Sequence, residues 1–154
     1  MKPTLLAALL VLCPALGLAA CSDGADVAAD AASVELSALL DPNTAAESDM
    51  VAAGVAAPVA QAVVAERPFS NGVAFATFAI SNGAESALDT AFIPLPLNGT
   101  TEADFELIPG VDADLAHEFV EYRPYSSMAQ FDREIGKYVD AEELARLRRY
   151  VTLD

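Results

Sequence analysis

The chain has too little cysteine to staple a fold. Cys13 lies in an N-terminal stretch expected to be removed, which leaves Cys21 alone. No internal disulfide is then available, even in an oxidising compartment. Stability has to come from apolar packing. Basic residues are scarce as well: 8 Lys and Arg stand against 23 Asp and Glu, for a formal net charge of −15. A charge this negative repels polyanions such as DNA and anionic lipid headgroups at long range. The shortage is uneven. Residues 21–94 hold ten acidic side chains and one basic one, Arg67, whereas residues 95–154 hold thirteen and six. Histidine occurs once, at His117, with neither a second His nor a Cys at ligand spacing, so it reads as packed or solvated rather than as a metal ligand. The carboxylates are scattered and lack the Asp-x-Asp-x-Asp-Gly pattern of a calcium loop. Neither a nucleophile–base constellation nor a phosphate-cradling P-loop is visible. The expectation is a non-catalytic protein without metal or cofactor.

What the N-terminus does contain is an export signal. Lys2 supplies a positive n-region and Leu5 to Leu12 an apolar h-region, and small residues follow at Gly17, Ala19 and Ala20. That apolar run is too short to span a bilayer. Leu18-Ala19-Ala20-Cys21 resembles a bacterial lipobox, which implies cleavage before Cys21 and lipidation of its thiol. The alternative is an ordinary secretory signal cut after Ala19. On the lipobox reading, residues 1–20 are a signal peptide, and residues 21–35 a flexible tether rich in Ala, Asp, Ser and Gly. The expected location is the bacterial cell envelope on the periplasmic side, held by lipid alone. Ser22 after the lipidated cysteine leans toward the outer membrane under the enterobacterial sorting rule.

The rest of the chain says the same thing twice. Gly54-Val-Ala-Ala-Pro-Val-Ala-Gln-Ala-Val-Val-Ala-Glu-Arg-Pro-Phe-Ser70 aligns without a gap with Gly110-Val-Asp-Ala-Asp-Leu-Ala-His-Glu-Phe-Val-Glu-Tyr-Arg-Pro-Tyr-Ser126. Phe75 and Phe131 extend the register, and upstream Asn43, Glu47 and Asp49 match Asn98, Glu102 and Asp104. A repeat of this length marks one duplicated supersecondary unit. Its copies occupy residues 36–94 and 95–154.

Each copy reads as helix, tight turn, helix, connector and a second such pair. In the first, the Thr44–Glu47 spacing predicts a capped helix from about Ala45, ended by Gly54. A second helix begins around Pro58 and stops before Pro68. Ser70 or Asn71 caps a third, and a weak fourth covers Ala84 to Phe92 after the Asn82-Gly83 turn. In the second copy, Thr101-Glu-Ala-Asp104 opens helix one and Pro109-Gly110-Val111 forms the turn. Helix two runs from about Ala113 to Tyr122. Ser126 or Ser127 caps helix three, with Met128, Phe131 and Ile135 on one face. Gly136-Lys137-Tyr138-Val139 is the last turn, and Asp140 caps helix four, whose buried stripe is Leu144, Leu147, Tyr150 and Val151.

The Leu-Asn-Gly-Thr-Thr-Glu-Ala-Asp entry, the Ile-Pro-Gly-Val turn, the Glu-Tyr-Arg-Pro-Tyr exit and Ile135-Gly-Lys-Tyr resemble the paired helix-hairpin-helix domain of ComEA-type competence proteins. The implied fold is all-α: two tandem paired helix-hairpin-helix domains, the first degenerate. The family implies non-sequence-specific binding of double-stranded DNA. Its phosphates sit on backbone N–H groups of a Gly-apolar-Gly turn and the following helix N-terminus. By that resemblance the hairpin and phosphate-binding candidates are Gly54, Val55, Gly110, Val111, Gly136 and Lys137. Arg146, Arg148 and Arg149 are candidate contacts to the DNA backbone.

The turns depart from that pattern. Asp112 occupies the second glycine position of the Gly110 turn, and either it or Asp114 can cap the helix N-terminus itself. Leu115 stands where a basic residue is usual. In the Gly54 turn the second glycine is Ala56, and Pro58 removes a donor. Arg146, Arg148 and Arg149 suit a helix C-terminus, with Glu142 and Glu143 as partners, better than they suit a phosphate clamp. Arg67 and Arg123, before the repeated prolines, suit caps on helix-two carbonyls or local pairing rather than ligand binding. Two functions remain. One is an envelope-anchored adaptor or scaffold for an unknown envelope protein, as PsbU-type photosystem subunits exemplify for helix-hairpin-helix proteins. The other is a ComEA-like double-stranded DNA receptor in DNA uptake, which the charge disfavours.

Overall fold

The computed structural model describes residues 38–153. The segments expected to be a signal peptide and a tether, and Cys21, lie outside the described residues. The described part is mostly helical, with seven α-helices, one 3-10 turn and two strands of two residues each. The helices are α1 (Glu47–Ala52), α2 (Ala57–Glu66), α3 (Gly72–Ser81), α4 (Glu102–Phe105), α5 (Ala113–Glu121), α6 (Met128–Ile135) and α7 (Ala141–Leu147). The weak fourth helix of the first copy is the short 3-10 turn Glu85–Asp89.

Caps explain the boundaries. Asn71, Thr101, Asp112, Ser127 and Asp140 each accept a backbone N–H with a side-chain oxygen at the start of α3, α4, α5, α6 and α7. Each such bond satisfies one of the N–H groups that a helix start leaves without a partner. The Thr44–Glu47 capping box does not form. The Thr44 and Ala45 amides instead donate to the Asp41 carbonyl in a preceding turn, and α1 starts at Glu47 behind Ala46, which has no side-chain oxygen to offer. Ala46 aligns with Thr101, so the first copy lacks the cap that the second retains.

Strand pairing, absent from the helical expectation, closes each copy. The Leu40 amide donates to Thr90 O at 2.9 Å and the Phe92 amide to Leu40 O at 3.0 Å, forming a parallel bridge. In the second copy β1 (Leu95–Pro96) runs parallel to β2 (Val151–Thr152), with Leu95 N on Tyr150 O and Leu97 N on Thr152 O, both at 2.8 Å. Tyr150 and Val151 therefore belong to this closure rather than to α7, which ends at Leu147.

Other contacts recur at the repeat spacing. The Asn43 side chain accepts from Phe69 N at 2.8 Å and donates to Phe69 O at 3.0 Å. Asn98 does the same with Tyr125 at 2.7 and 3.0 Å. Arg67 donates to the carbonyls of Pro42 and Ala45, and Arg123 to that of Thr100. The two arginines thus hold the loop before the first helix of each copy rather than the carbonyls of the second. The Arg67–Pro68 and Arg123–Pro124 peptide bonds are both cis.

The core is one connected apolar cluster running through both copies. In the second copy Phe105, Phe119 and Phe131 stack edge to face, with ring centroids 5.1 and 5.2 Å apart. Their counterparts in the first copy are Met50, Val63 and Phe75, all buried. The copies meet where the Phe92 ring packs edge-on to Tyr150 at 5.1 Å and the Tyr150 hydroxyl donates to Leu88 O at 3.2 Å.

Candidate functional site

The predicted hairpin residues sit at the turns between consecutive helices, whereas Arg146, Arg148 and Arg149 lie at the C-terminal end of α7. Backbone conformation at the turns explains two of the glycines. Gly54 and Gly110 have φ of +106° and +78°, the left-handed region that a side chain disfavours. Both turns reverse the chain so that the next residue, Val55 or Val111, points into the core with 6% and 7% exposure. The valines are therefore packing residues and are not presented to a ligand. Gly136 is different. Its φ is an ordinary −61°, but a Cβ there would lie 2.6 Å from Asp132 O and 3.3 Å from a Leu144 methyl. The turn passes so close to the Asp132 carbonyl of α6 itself that only glycine fits there.

The helix N-termini behind the second copy's turns are already occupied by the protein's own carboxylates. Asp112 Oδ1 accepts from Leu115 N at 2.9 Å, and Asp140 Oδ1 accepts from Glu143 N at 2.9 Å. A bound phosphate would have to displace these oxygens and then sit beside their charge. Asp114 is not the cap; it lies exposed in the first turn of α5. In the first copy α2 begins behind Ala56 with no side-chain cap, and Pro58 in its first turn lacks an N–H.

The cations are engaged within the chain. Lys137 is ion-paired with Glu134 and lies 4.8 Å from the centre of the Tyr122 ring. The hydrogen bond from Lys137 holds the Glu134 carboxyl below its usual range, and the same bond raises the Lys137 ammonium. Arg146 grips Glu143 through two bonds of 2.7 and 2.6 Å, a fork-to-carboxylate arrangement. Its guanidinium also lies 5.4 Å from the Tyr150 ring, and that of Arg149 lies 5.9 Å away. Arg148 bonds Asp132 at 3.0 Å. Glu143 and Asp132, rather than Glu142, are the partners found. The exposed pairs contribute little to stability, but each brings a carboxylate next to the cation a phosphate would need.

Between the Gly110 turn and the last turn lies a cleft of about 340 Å³, lined by Asp112, Asp114, Leu115, Glu118, Tyr138 and Val139 among others. Three of these are acidic. Tyr138 is the most exposed large hydrophobic side chain among the described residues, at 48%, and its hydroxyl lies 2.7 Å from that of Tyr122. The bonds to Tyr122, and next to Glu118, raise the Tyr138 phenol above its ordinary value. In the sequence Tyr138 reads only as a turn residue. The whole of α6 lies between it and Tyr122, so periodicity carries no signal of the pair. His117, on the outer face of α5, lies 3.3 Å from Glu102 and 4.0 Å from Glu121, which makes it a solvated bridge between α4 and α5.

No protein-family model, curated protein or solved structure matches the chain.

Proposed function

We propose that the protein is a non-catalytic binding module built from two tandem paired helix-hairpin-helix units, the first degenerate, and that it serves as a protein-binding adaptor or scaffold. The observation that carries this reading is the pair of carboxylates, Asp112 and Asp140, bonded to the helix N-termini where the related DNA-binding domains hold phosphate. The pairing of Lys137, Arg146 and Arg148 with Glu134, Glu143 and Asp132 supports it. So does the net charge of −15. The competing reading, a ComEA-like receptor for double-stranded DNA, draws support from the left-handed backbone of Gly54 and Gly110, the conformation a glycine turn between two helices uses.

A salt-titrated binding assay with duplex DNA separates the two. The adaptor should bind no tighter than a Kd of about 10⁻⁴ M at physiological salt. Asp112→Gly with Leu115→Lys frees backbone donors, removes a repulsive carboxylate and adds a cation. Binding should then strengthen, and the gain should fall steeply as salt rises. Micromolar, salt-sensitive binding by the unmodified chain would replace the adaptor with the DNA receptor.

The lipobox-like Leu18-Ala19-Ala20-Cys21 supports an envelope location with a lipid on Cys21 as the only membrane anchor. Cys21→Ala should move the protein from the membrane to the soluble fraction. Persistence in the membrane fraction, with an unmodified Cys21 by mass spectrometry in the parent chain, would refute the anchor.

A further inference from the structure

The groove on the other side of the Gly110 turn has a chemistry that the adaptor reading leaves unspecified. It holds about 300 Å³ and is formed by the end of α3, the 3-10 turn and residues 106–110. Its apolar surface includes Ile80, Leu107 and Pro109. Ile80 is 40% exposed on the last turn of α3, while Leu107 and Pro109 are half-buried. A single exposed isoleucine needs no explanation, but one at the edge of a groove with two more apolar side chains forms a small docking surface. Glu85, Asp89 and Glu106 line the same groove and are exposed, and no lysine or arginine lines it. The cleft beyond Gly110 continues this polarity through Asp112 and Asp114, while the Arg146 guanidinium against Gly110 is held by Glu143.

Resting on the adaptor reading, we propose that this groove receives a basic, amphipathic segment of a partner protein. An apolar residue of that segment seats on Ile80, Leu107 and Pro109, and flanking lysines or arginines face Glu85, Asp89 and Glu106. Charge complementarity selects the occupant. DNA and anionic lipid are repelled by carboxylates on both sides of the turn. A second copy of this chain would bring another net charge of −15 against them. A cationic segment gains attraction from both sides of the turn, which speeds encounter and fixes its register, while the apolar contact supplies retention.

The test uses the full chain and a fluorescent peptide of alternating leucine and lysine, read by anisotropy across a salt series. The parent chain should bind it. Glu85→Gln with Glu106→Gln should weaken binding about tenfold, and Ile80→Ser about fivefold. Both changes are at exposed positions, and circular dichroism checks that helix content is kept. A control of equal charge change, Glu66→Gln with Glu142→Gln outside the groove, should leave binding unchanged. Equal weakening by the control would reduce the effect to general charge attraction and overturn the proposal. So would oligolysine binding as tightly as the mixed peptide, or a dimer of the parent chain that Ile80→Ser dissolves. A duplex DNA arm keeps the two readings apart. DNA binding defeats the adaptor reading and this inference with it, whereas absence of both DNA and peptide binding defeats this inference alone.

Discussion

The Asn43 and Asn98 side chains each bridge to the backbone of an aromatic residue 26 or 27 positions away, accepting from its N–H and donating to its C=O. An asparagine amide can do both at once because it carries a donor and an acceptor, which neither aspartate nor leucine offers together. The repeat alignment picks out both asparagines, but nothing local in the sequence points to their partners, which lie past two helices. Asp112 is legible because a carboxylate just before a helix has a short-range role. For His117 the sequence leaves packed and solvated both open, and its bridge to Glu102 depends on the relative placement of α4 and α5. The hydrogen bond and charge of Glu102 raise the His117 pKa above 6.5. A group whose folded pKa is raised contributes stability in full below its unfolded pKa and loses it as pH rises through the folded value. Melting temperature should therefore decline slightly from just below pH 6.5 upward through the folded pKa, and His117→Gln should flatten that slope. An NMR titration placing the His117 midpoint at or below 6.5 would show that the Glu102 contact is not formed in solution.

At the scale of elements, the expected helices from α2 to α7 start where a capping side chain or a proline marks them. Local sequence stops being informative where the structure depends on a distant segment. The bridge between Leu40 and Ala91 and the β1–β2 pair join residues some 50 positions apart, each over so short a span that no alternation is visible. The capping box at Thr44 is a false signal because the Asp41 carbonyl takes the Thr44 and Ala45 amides in a turn that precedes the helix. A difference between the copies follows. Ala46 has the extended backbone of a cap residue, with φ −67° and ψ 150°, close to Thr101 with −75° and 160°, but lacks its oxygen. Ala46→Thr should restore the bond to the α1 N-terminus and stabilise the protein by about 1 kcal/mol. Asp112→Ala should cost a similar amount, about 1 kcal/mol, by removing the cap of α5. Denaturant midpoints measure both, and a neutral or destabilising Ala46→Thr would mean that the first copy has lost more than the cap.

For the whole molecule, the question is whether duplicated sequence means duplicated stability. The first copy replaces two phenylalanines of the second copy's stack with Met50 and Val63, so its own core buries less aromatic area. It leans on the second through the Phe92–Tyr150 ring contact and the bond from the Tyr150 hydroxyl to Leu88 O. Burial raises the Tyr150 phenol above its ordinary pKa, as expected for a hydroxyl kept from water. An alignment that divides the chain at residue 95 cannot reveal this dependence, because Tyr150 lies in the C-terminal closure and reaches across to the other copy. One cooperative unfolding transition is therefore expected. All four tyrosines lie in the second copy, while helices are spread through both. Tyrosine fluorescence thus reports on one copy and far-ultraviolet circular dichroism on the two together. Their denaturation curves should coincide in the parent chain. Tyr150→Phe, which keeps the ring and removes the buried bond, should shift both midpoints together by about 1–2 kcal/mol of stability. A dichroism transition that begins before the fluorescence transition, with only the fluorescence curve moved by Tyr150→Phe, would instead mean two copies that fold independently.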